Sequence, residues 1–220
     1  MERVIDPAVH TTKPLLRGVS HEVAALAALG GWAALAATAP PGAARAAAHV
    51  YGGCLFALFA VSATYHRPTW STRARAWMRR LDHSAIFLLI AGTYTPLCLL
   101  MDDRVGRRLL AIVWMGAGLG VARSILWVRA PRIVTAALCI ALGWAVLPVL
   151  PAARAAVGDG GLALLAAGGV AYTVGAGIYA ARRPNPWPRV FGYHEVFHAL
   201  VIVAATCHFG VMYAAVRAIR

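Results

Sequence analysis

The sequence predicts an all-α integral membrane protein, a bundle of seven transmembrane helices with a cytoplasmic N-terminus and an external C-terminus. Of its 220 residues, 60% are hydrophobic and 13% are charged, against about 45–50% and about 25% in soluble domains. The mean hydropathy is +0.67, and the apolar residues fall in runs of the length that a helix needs to cross a bilayer. No run alternates apolar and polar residues with a period of two, which excludes a β-barrel.

Seven apolar runs follow one another along the chain, and proline, glycine or arginine residues separate them. A polar tail over residues 1–19 precedes the first run, which is rich in alanine. The runs cover residues 20–38, 45–66, 82–101, 108–128, 133–150, 161–181 and 193–216. Within them, Gly116 and Gly120 form a GxxxG pair, and a stripe of small residues follows at Gly169, Thr173 and Gly177, both typical of closely packed helices.

The first run also permits a different interpretation. Basic residues precede an alanine-rich stretch that ends Ala37-Thr38-Ala39, which resembles a signal peptide with its cleavage site. The polar stretch ahead of it is long and contains Pro7 and Pro14. A retained first helix is therefore the preferred interpretation.

The basic residues give the orientation. The chain has 21 basic and 8 acidic residues and a net charge of +13, which in a soluble protein would suggest nucleic-acid binding. Long uncharged runs cannot form a solvated basic surface, so no nucleic-acid partner is expected. The N-terminal tail and the junctions after the second, fourth and sixth runs hold 14 basic residues, and the opposite side holds seven. The positive-inside rule then predicts a cytoplasmic N-terminus.

Polar side chains within the apolar runs collect at one end of the predicted bundle. Ser62 and His66 end the second run, Asp82 opens the third, and His194 and His198 open the seventh. Ionisable groups at membrane depth are costly and are functional candidates by default. The sequence therefore predicts a site near the cytoplasmic face.

Metal binding is the chemistry that these residues favour. His194 and His198 are four residues apart, so they share a helix face and can bind one Zn²⁺. A catalytic zinc keeps three protein ligands and one open position, and His66 is the natural third ligand. Asp82 would then accept a proton from the activated water or anchor it, and Ser62 would orient the water or stabilise a developing oxyanion.

The segment HEVFH at residues 194–198 also matches the HExxH pattern of zinc proteases, in which the glutamate is the general base. Val201 and Ala204 stand where the extended form of that pattern has glycine and histidine. A membrane metalloprotease with Glu195 as its base is kept as an alternative.

Four segments carry a resemblance to a known family. They are LRGVSHE at 16–22, SATYH at 62–66, LDHSAIFLLIAGTYTP at 81–96 and HEVFHALVIVAATCHF at 194–209. Together they resemble hemolysin III, the bacterial branch of the progestin and adipoQ receptor (PAQR) superfamily, over essentially the whole chain.

The resemblance implies a seven-helix protein of the bacterial inner membrane with its N-terminus in the cytoplasm. It also implies a zinc ion held by His66, His194 and His198, with Asp82 and Ser62 beside it. Related receptors resemble ceramidases, which implies a membrane lipid as the substrate of a metal-dependent amide or ester hydrolase. The sequence does not identify a protein partner.

Two other function classes make different demands on the sequence. A non-enzymatic cytolytic or sensor protein would use the zinc only to join two helices, with a closed shell of four ligands. A retinal-type photoreceptor or pump needs a lysine within the bundle, whereas the one lysine of this chain is Lys13, ahead of the first run.

Overall fold

The computed structural model describes residues 13–101, 103–128 and 130–219. Within these residues the secondary structure is helical, apart from one isolated β-bridge between Trp187 and Phe191. This confirms the all-α prediction. In chain order the helices are α1 (Val19–Thr38), α2 (Ala43–His66), α3 (Thr72–Leu100), α4 (Asp103–Leu126), α5 (Arg132–Gly143), α6 (Leu150–Ala181) and α7 (Tyr193–Ala218), with a 3-10 helix (Leu147–Val149) between α5 and α6.

Six stretches of the described chain are long and apolar enough to cross a membrane. Five of them belong to α1, α2, α3, α4 and α7, and the sixth is the 50-residue stretch Arg132–Ala181, which contains α5 and α6. The 24 residues of α2 extend about 36 Å, more than the hydrocarbon thickness of about 30 Å. The protein is therefore a multi-pass membrane protein, while seven crossings and the orientation of the termini stay predictions.

The region predicted as a single run over residues 133–150 is broken in the structure. Helix α5 ends at Gly143, and α6 is itself interrupted at Gly158, whose φ of 69° is not helical. The Tyr94 hydroxyl of α3 donates to the Gly143 carbonyl at 2.7 Å and accepts from the Val146 N–H at 3.0 Å. A break inside an apolar segment is tolerated because a neighbouring helix satisfies the freed backbone groups.

One end of the bundle gathers the starts of α1, α3, α5 and α7 and the ends of α2, α4 and α6. We call it the histidine end, because His66 ends α2 there and His194 lies in the first turn of α7. Side chains tie its helices together through the pairs Arg67–Glu22, Arg80–Ile125 and Arg132–Tyr193. The polar residues singled out in the sequence thus meet at one end because consecutive helices run in opposite directions.

Candidate metal centre

Three histidines from two helices converge at the histidine end. One ring nitrogen from each of His66, His194 and His198 can be chosen so that all three lie within 4.8 Å of one another. The Nε2 atoms of His66 and His194 are 3.0 Å apart, and the His194 and His198 ring centroids are 4.5 Å apart. The structure therefore brings together the three residues predicted as metal ligands.

Local structure holds each ring in place. His66 is the last residue of α2, and Gly18 lies so close to it that an added Cβ would be 2.8 Å from the His66 Cβ. Helix α7 begins after Gly192, whose N–H donates to the Glu195 carboxylate at 2.8 Å. This cap sets the first turn of α7, and the spacing of four residues then puts His194 and His198 on one face.

The donor set fits a zinc ion. Two ligands 2.0–2.1 Å from a tetrahedral zinc are separated by about 3.3 Å, close to the 3.0 Å between the Nε2 atoms of His66 and His194. His198 is buried, and its Nδ1 has no hydrogen-bond partner among the described residues. Buried polar nitrogens are rarely left unpaired, so an unsatisfied imidazole within a group of three is a feature that a bound ion would explain.

Asp82 and Ser62 lie beside this triad. Their side chains are close enough to interact with each other, and Ser62 is one helical turn before His66 on α2. Both line the same cavity as the three histidines. The structure thus joins a carboxylate and a hydroxyl from two helices next to the candidate metal ligands.

A cavity of about 600 Å³ extends from the triad into the bundle, within the usual size range of sites for small organic ligands. It reaches as far as His208 and Tyr172. The Nε2 of His208 lies 3.1 Å from the Leu165 carbonyl, a bond in which the ring N–H donates. The cavity therefore joins the polar triad to the interior of the bundle.

Glu195 has two partners of its own. Besides the Gly192 N–H, its carboxylate accepts from the Nε of Arg17 in an ion pair in which Glu195 is only 2% exposed. It is not among the residues that line the cavity. The literal HExxH match thus places a capping and ion-pairing residue between the two histidines, which disfavours Glu195 as a general base.

His21 is a neighbour of the triad that the spacing argument missed. Its ring stacks on that of His198, with centroids 3.7 Å apart and planes at 7°, and it meets Phe59 edge-on. It is buried, and neither ring nitrogen has a hydrogen-bond partner among the described residues. The one signal in the sequence was the segment LRGVSHE, which contains both Arg17 and His21.

The segment before α1 lies over the histidine end. The N–H groups of Leu15 and Leu16 donate to the carbonyls of Arg189 and Val190 in the α6–α7 loop, at 3.1 and 3.2 Å. Lys13 donates to the Arg67 carbonyl at 2.7 Å. This segment thereby holds Arg17 at the cavity wall.

Comparison with known proteins is consistent with this architecture. The family model described as "Haemolysin-III related" matches residues 9–209. The chain is 35% identical to "Hemolysin-3" of Bacillus cereus over 70% of this chain and 67% of that protein. It is 29% identical to "Hemolysin-3 homolog" of Bacillus subtilis (strain 168), over 73% and 72% respectively.

A plant protein is similar as well. The chain is 34% identical to "Heptahelical transmembrane protein ADIPOR2" of Oryza sativa subsp. japonica, over 68% of this chain and 73% of that protein. This similarity links the chain to the PAQR superfamily, as the sequence segments indicated. The match over 9–209 shows that the chain belongs to the haemolysin III family.

Proposed function

We propose that the protein is a metal-dependent hydrolase of the bacterial inner membrane that cleaves an amide or ester bond of a membrane lipid. One observation carries this proposal. Three histidines, a carboxylate and a hydroxyl from three helices converge on a cavity of about 600 Å³ inside an apolar bundle. A site of this composition suits an amphiphile whose reactive bond lies at the polar end and whose chain lies in the cavity.

The roles follow from the donor types. His66, His194 and His198 would hold zinc, and Glu195 and His21 would keep α7 and the His198 ring in place. Bound zinc would polarise a carbonyl oxygen and make water acidic enough to lose a proton near neutral pH. The Asp82 carboxylate would be placed to accept a proton from water, and the Ser62 hydroxyl would orient Asp82 or donate to the oxygen that gains negative charge.

We further propose that the helices cross the membrane seven times, with the histidine end in the cytoplasm. Helix α5 starts at the histidine end and α6 ends there, so the stretch Arg132–Ala181 would cross twice. The rice relative is named heptahelical. The two-to-one bias of basic residues toward the histidine end supports the orientation.

A second candidate function is a non-enzymatic membrane protein in which zinc only joins helices. The observation that favours it is that the three histidines connect the end of α2 to the start of α7. A closed shell of four protein ligands, with no turnover, would be its signature.

The deciding experiment measures metal and turnover together. The wild-type protein and His194→Ala are purified in detergent, their zinc content is measured by mass spectrometry, and fatty-acid release is followed from ceramide and from ester lipids. We expect about one zinc per wild-type chain, loss of zinc and turnover in His194→Ala, and no change in a His49→Gln control, because His49 is exposed and does not line the cavity. Zinc-free active wild type would overturn the metal assignment.

Asp82→Asn separates catalysis from structure in the same assay. We expect this variant to keep its zinc and to lose turnover by about 10²-fold or more, because it lacks the group that accepts the proton. Wild type that binds zinc and cleaves none of these lipids would instead support the second candidate.

A further inference from the structure

Three arginines lie beside the metal centre, and the proposed hydrolysis gives none of them a role. Arg79 precedes Asp82 by one turn of α3, Arg123 is in the last turn of α4, and Arg132 is the first residue of α5. All three are close enough to His83 to interact with it electrostatically. We call Arg79, Arg123 and Arg132 the arginine cluster.

The arginine cluster faces the cavity. Arg79 and Arg132 line it together with His83 and Thr135. Arg123 reaches the same wall because its Nη2 donates to the Thr135 hydroxyl at 2.6 Å. Two members of the cluster therefore line the cavity, and the third contacts a residue of its wall.

Arg132 also connects the arginine cluster to the metal centre. Its Nη1 donates to the Tyr193 hydroxyl at 2.7 Å, and its guanidinium lies over the Tyr179 ring, 5.1 Å from the centroid. Tyr193 directly precedes His194. An anion bound at the cluster would thus lie close to the candidate zinc ligands.

Arg80, also on α3, shows the contrasting arrangement of an interfacial arginine. It donates to the Ile125 carbonyl and lies over the Trp77 ring, and it does not line the cavity. Protein contacts thus satisfy its Nε and cover one face of its guanidinium. The positive-inside bias explains such an arginine but does not explain charges turned toward the cavity.

Hydrogen-bonding capacity within the arginine cluster is unused. Among the described residues, the buried Nε of Arg123 has no hydrogen-bond partner, and Arg79 makes no hydrogen bond or ion pair. A buried guanidinium N–H without an acceptor is costly. These N–H groups therefore need a hydrogen-bond acceptor that the described chain does not supply.

The surrounding charge is also unbalanced. Among the described residues that line the cavity there are four arginines and one carboxylate, Asp82. Outside the membrane-spanning segments, burial lowers the pKa of Lys13, and the nearby Arg67, Arg17 and Arg75 lower it further. The mouth of the cavity is thus a region of positive potential, which attracts anions.

The donor geometry favours phosphate. Guanidinium groups present planar, paired N–H donors that match phosphate oxygens. Such charge-assisted hydrogen bonds are stronger than hydrogen bonds between neutral groups. We propose that the arginine cluster binds the phosphate group of a lipid, so that the ligand of the cavity is an anionic phospholipid. This assignment rests on the proposed function, since it names the substrate class of that hydrolase.

Binding of matched lipids tests the assignment. Purified full-length protein in dodecyl maltoside is incubated with radiolabelled dioleoyl phosphatidic acid or with dioleoylglycerol, which has the same chains without the phosphate. We expect phosphatidic acid to bind at least about tenfold more tightly, and Arg79→Gln or Arg123→Gln to reduce that preference by about tenfold. Arg79→Gln should fold normally, because it removes no hydrogen bond within the described chain.

The control is Arg73→Gln/Arg189→Gln, which removes two exposed charges from the histidine end outside the cavity. This double variant should keep the preference for phosphatidic acid. If it loses as much of that preference as the cluster variants do, general surface charge explains the preference and the assignment is overturned. Inorganic phosphate is the second arm. If it binds at the cluster while the two lipids bind equally, the site serves a free anion, which also overturns the assignment.

Repeating the binding with zinc-free protein, prepared with a chelator, separates this inference from the proposed function. If the preference for phosphatidic acid persists while the zinc-loaded protein cleaves no lipid, the arginine cluster remains a phosphate site and the proposed hydrolase activity is overturned. If neutral and anionic lipids bind equally and are hydrolysed at equal rates, the hydrolase proposal stands and the phosphate site at the arginine cluster is overturned.

Discussion

The contacts of Glu195 differ from those that its sequence motif predicts. It stands between two candidate zinc ligands, where a zinc protease would have its base. Its carboxylate instead accepts from the Gly192 N–H and from Arg17. A carboxylate used in this way stabilises the start of α7 and holds the segment before α1 in place.

We therefore expect Glu195→Gln to lower stability while zinc stays bound. Removing one partner of a buried ion pair costs about 3–5 kcal/mol, and about 3 is expected here because Arg17 remains one-fifth exposed. Thermal unfolding in detergent measures the loss, and zinc content is measured in parallel. Full stability combined with complete loss of hydrolysis would instead revive the metalloprotease interpretation.

His21 contributes by its shape. Its ring is parallel to that of His198 at 3.7 Å, so it limits how far the His198 ring can rotate. Groups that orient a metal ligand typically change metal affinity by about 10- to 100-fold.

The expected result is that His21→Ala weakens zinc binding by at least about tenfold, because it leaves a void beside His198. His21→Phe keeps a flat ring in the stack and should retain most of the affinity. Competition with a chromophoric zinc chelator measures both variants. Equal affinity in wild type and His21→Ala would exclude a positioning role.

At the scale of the helix, close packing of α6 on α7 depends on glycines other than the predicted ones. A Cβ at Gly168 would lie 2.4 Å from the His208 ring. In the predicted stripe, Gly169 faces Trp144, Thr173 accepts a hydrogen bond from that indole, and Gly177 has open space. The stripe was assigned by spacing, and the observed rotation of α6 turns the neighbouring position toward α7.

Gly168→Ala should therefore destabilise the protein by about 1–3 kcal/mol, because the added methyl group must displace the His208 ring. Gly177→Ala is the matched control on the same helix. It should be neutral or stabilising by up to about 1 kcal/mol, since alanine favours helix and nothing obstructs its Cβ. The denaturation midpoints of the two variants measure this difference in stability. Equal destabilisation of both would contradict the packing of Gly168 against His208.

At the scale of the whole molecule, alternating helix directions bring distant parts of the chain to one end. His66 and His194 are 128 positions apart, yet their rings touch because α2 ends where α7 begins. The break between α5 and α6 matters for the same reason. If the stretch Arg132–Ala181 turns back at Gly158, seven crossings result and the histidine end faces one compartment.

Reporter fusions test that topology directly. We expect alkaline phosphatase to be active when fused after Arg104, Gly158 or Arg220, and inactive when fused after Trp70 or Trp187, because the enzyme matures only outside the cytoplasm. Fluorescent-protein fusions at the same positions should give the reverse pattern. Activity at Trp187, or its absence at Gly158, would contradict seven crossings with a cytoplasmic N-terminus.

Much of the candidate site was predictable from local rules. Hydropathy identifies membrane segments because burial in lipid acts on each segment independently. The spacing of His194 and His198 gives two ligands on one face through helix geometry alone. His66 was predictable as the third ligand because it ends the second apolar run at the same side of the membrane where the seventh run begins.

The positions of His21 and the arginine cluster relative to the triad could not be predicted in this way. Each depends on how far one helix is rotated and tilted against the next, which is decided by the packing of many side chains at once. Asp82 and His83 are consecutive on a helix and so point about 100° apart, yet both line the cavity.

The sequence by itself therefore determined an all-helical membrane protein with its polar residues gathered at one end. Its information is local, because hydropathy and helical period are properties of single segments. Only the tertiary structure decided that His21 stacks on His198 and that Glu195 forms an ion pair with Arg17. It also decided that Arg79 and Arg132 line the cavity while Arg123 contacts its wall. These contacts join different helices, and only packing between helices sets their distances.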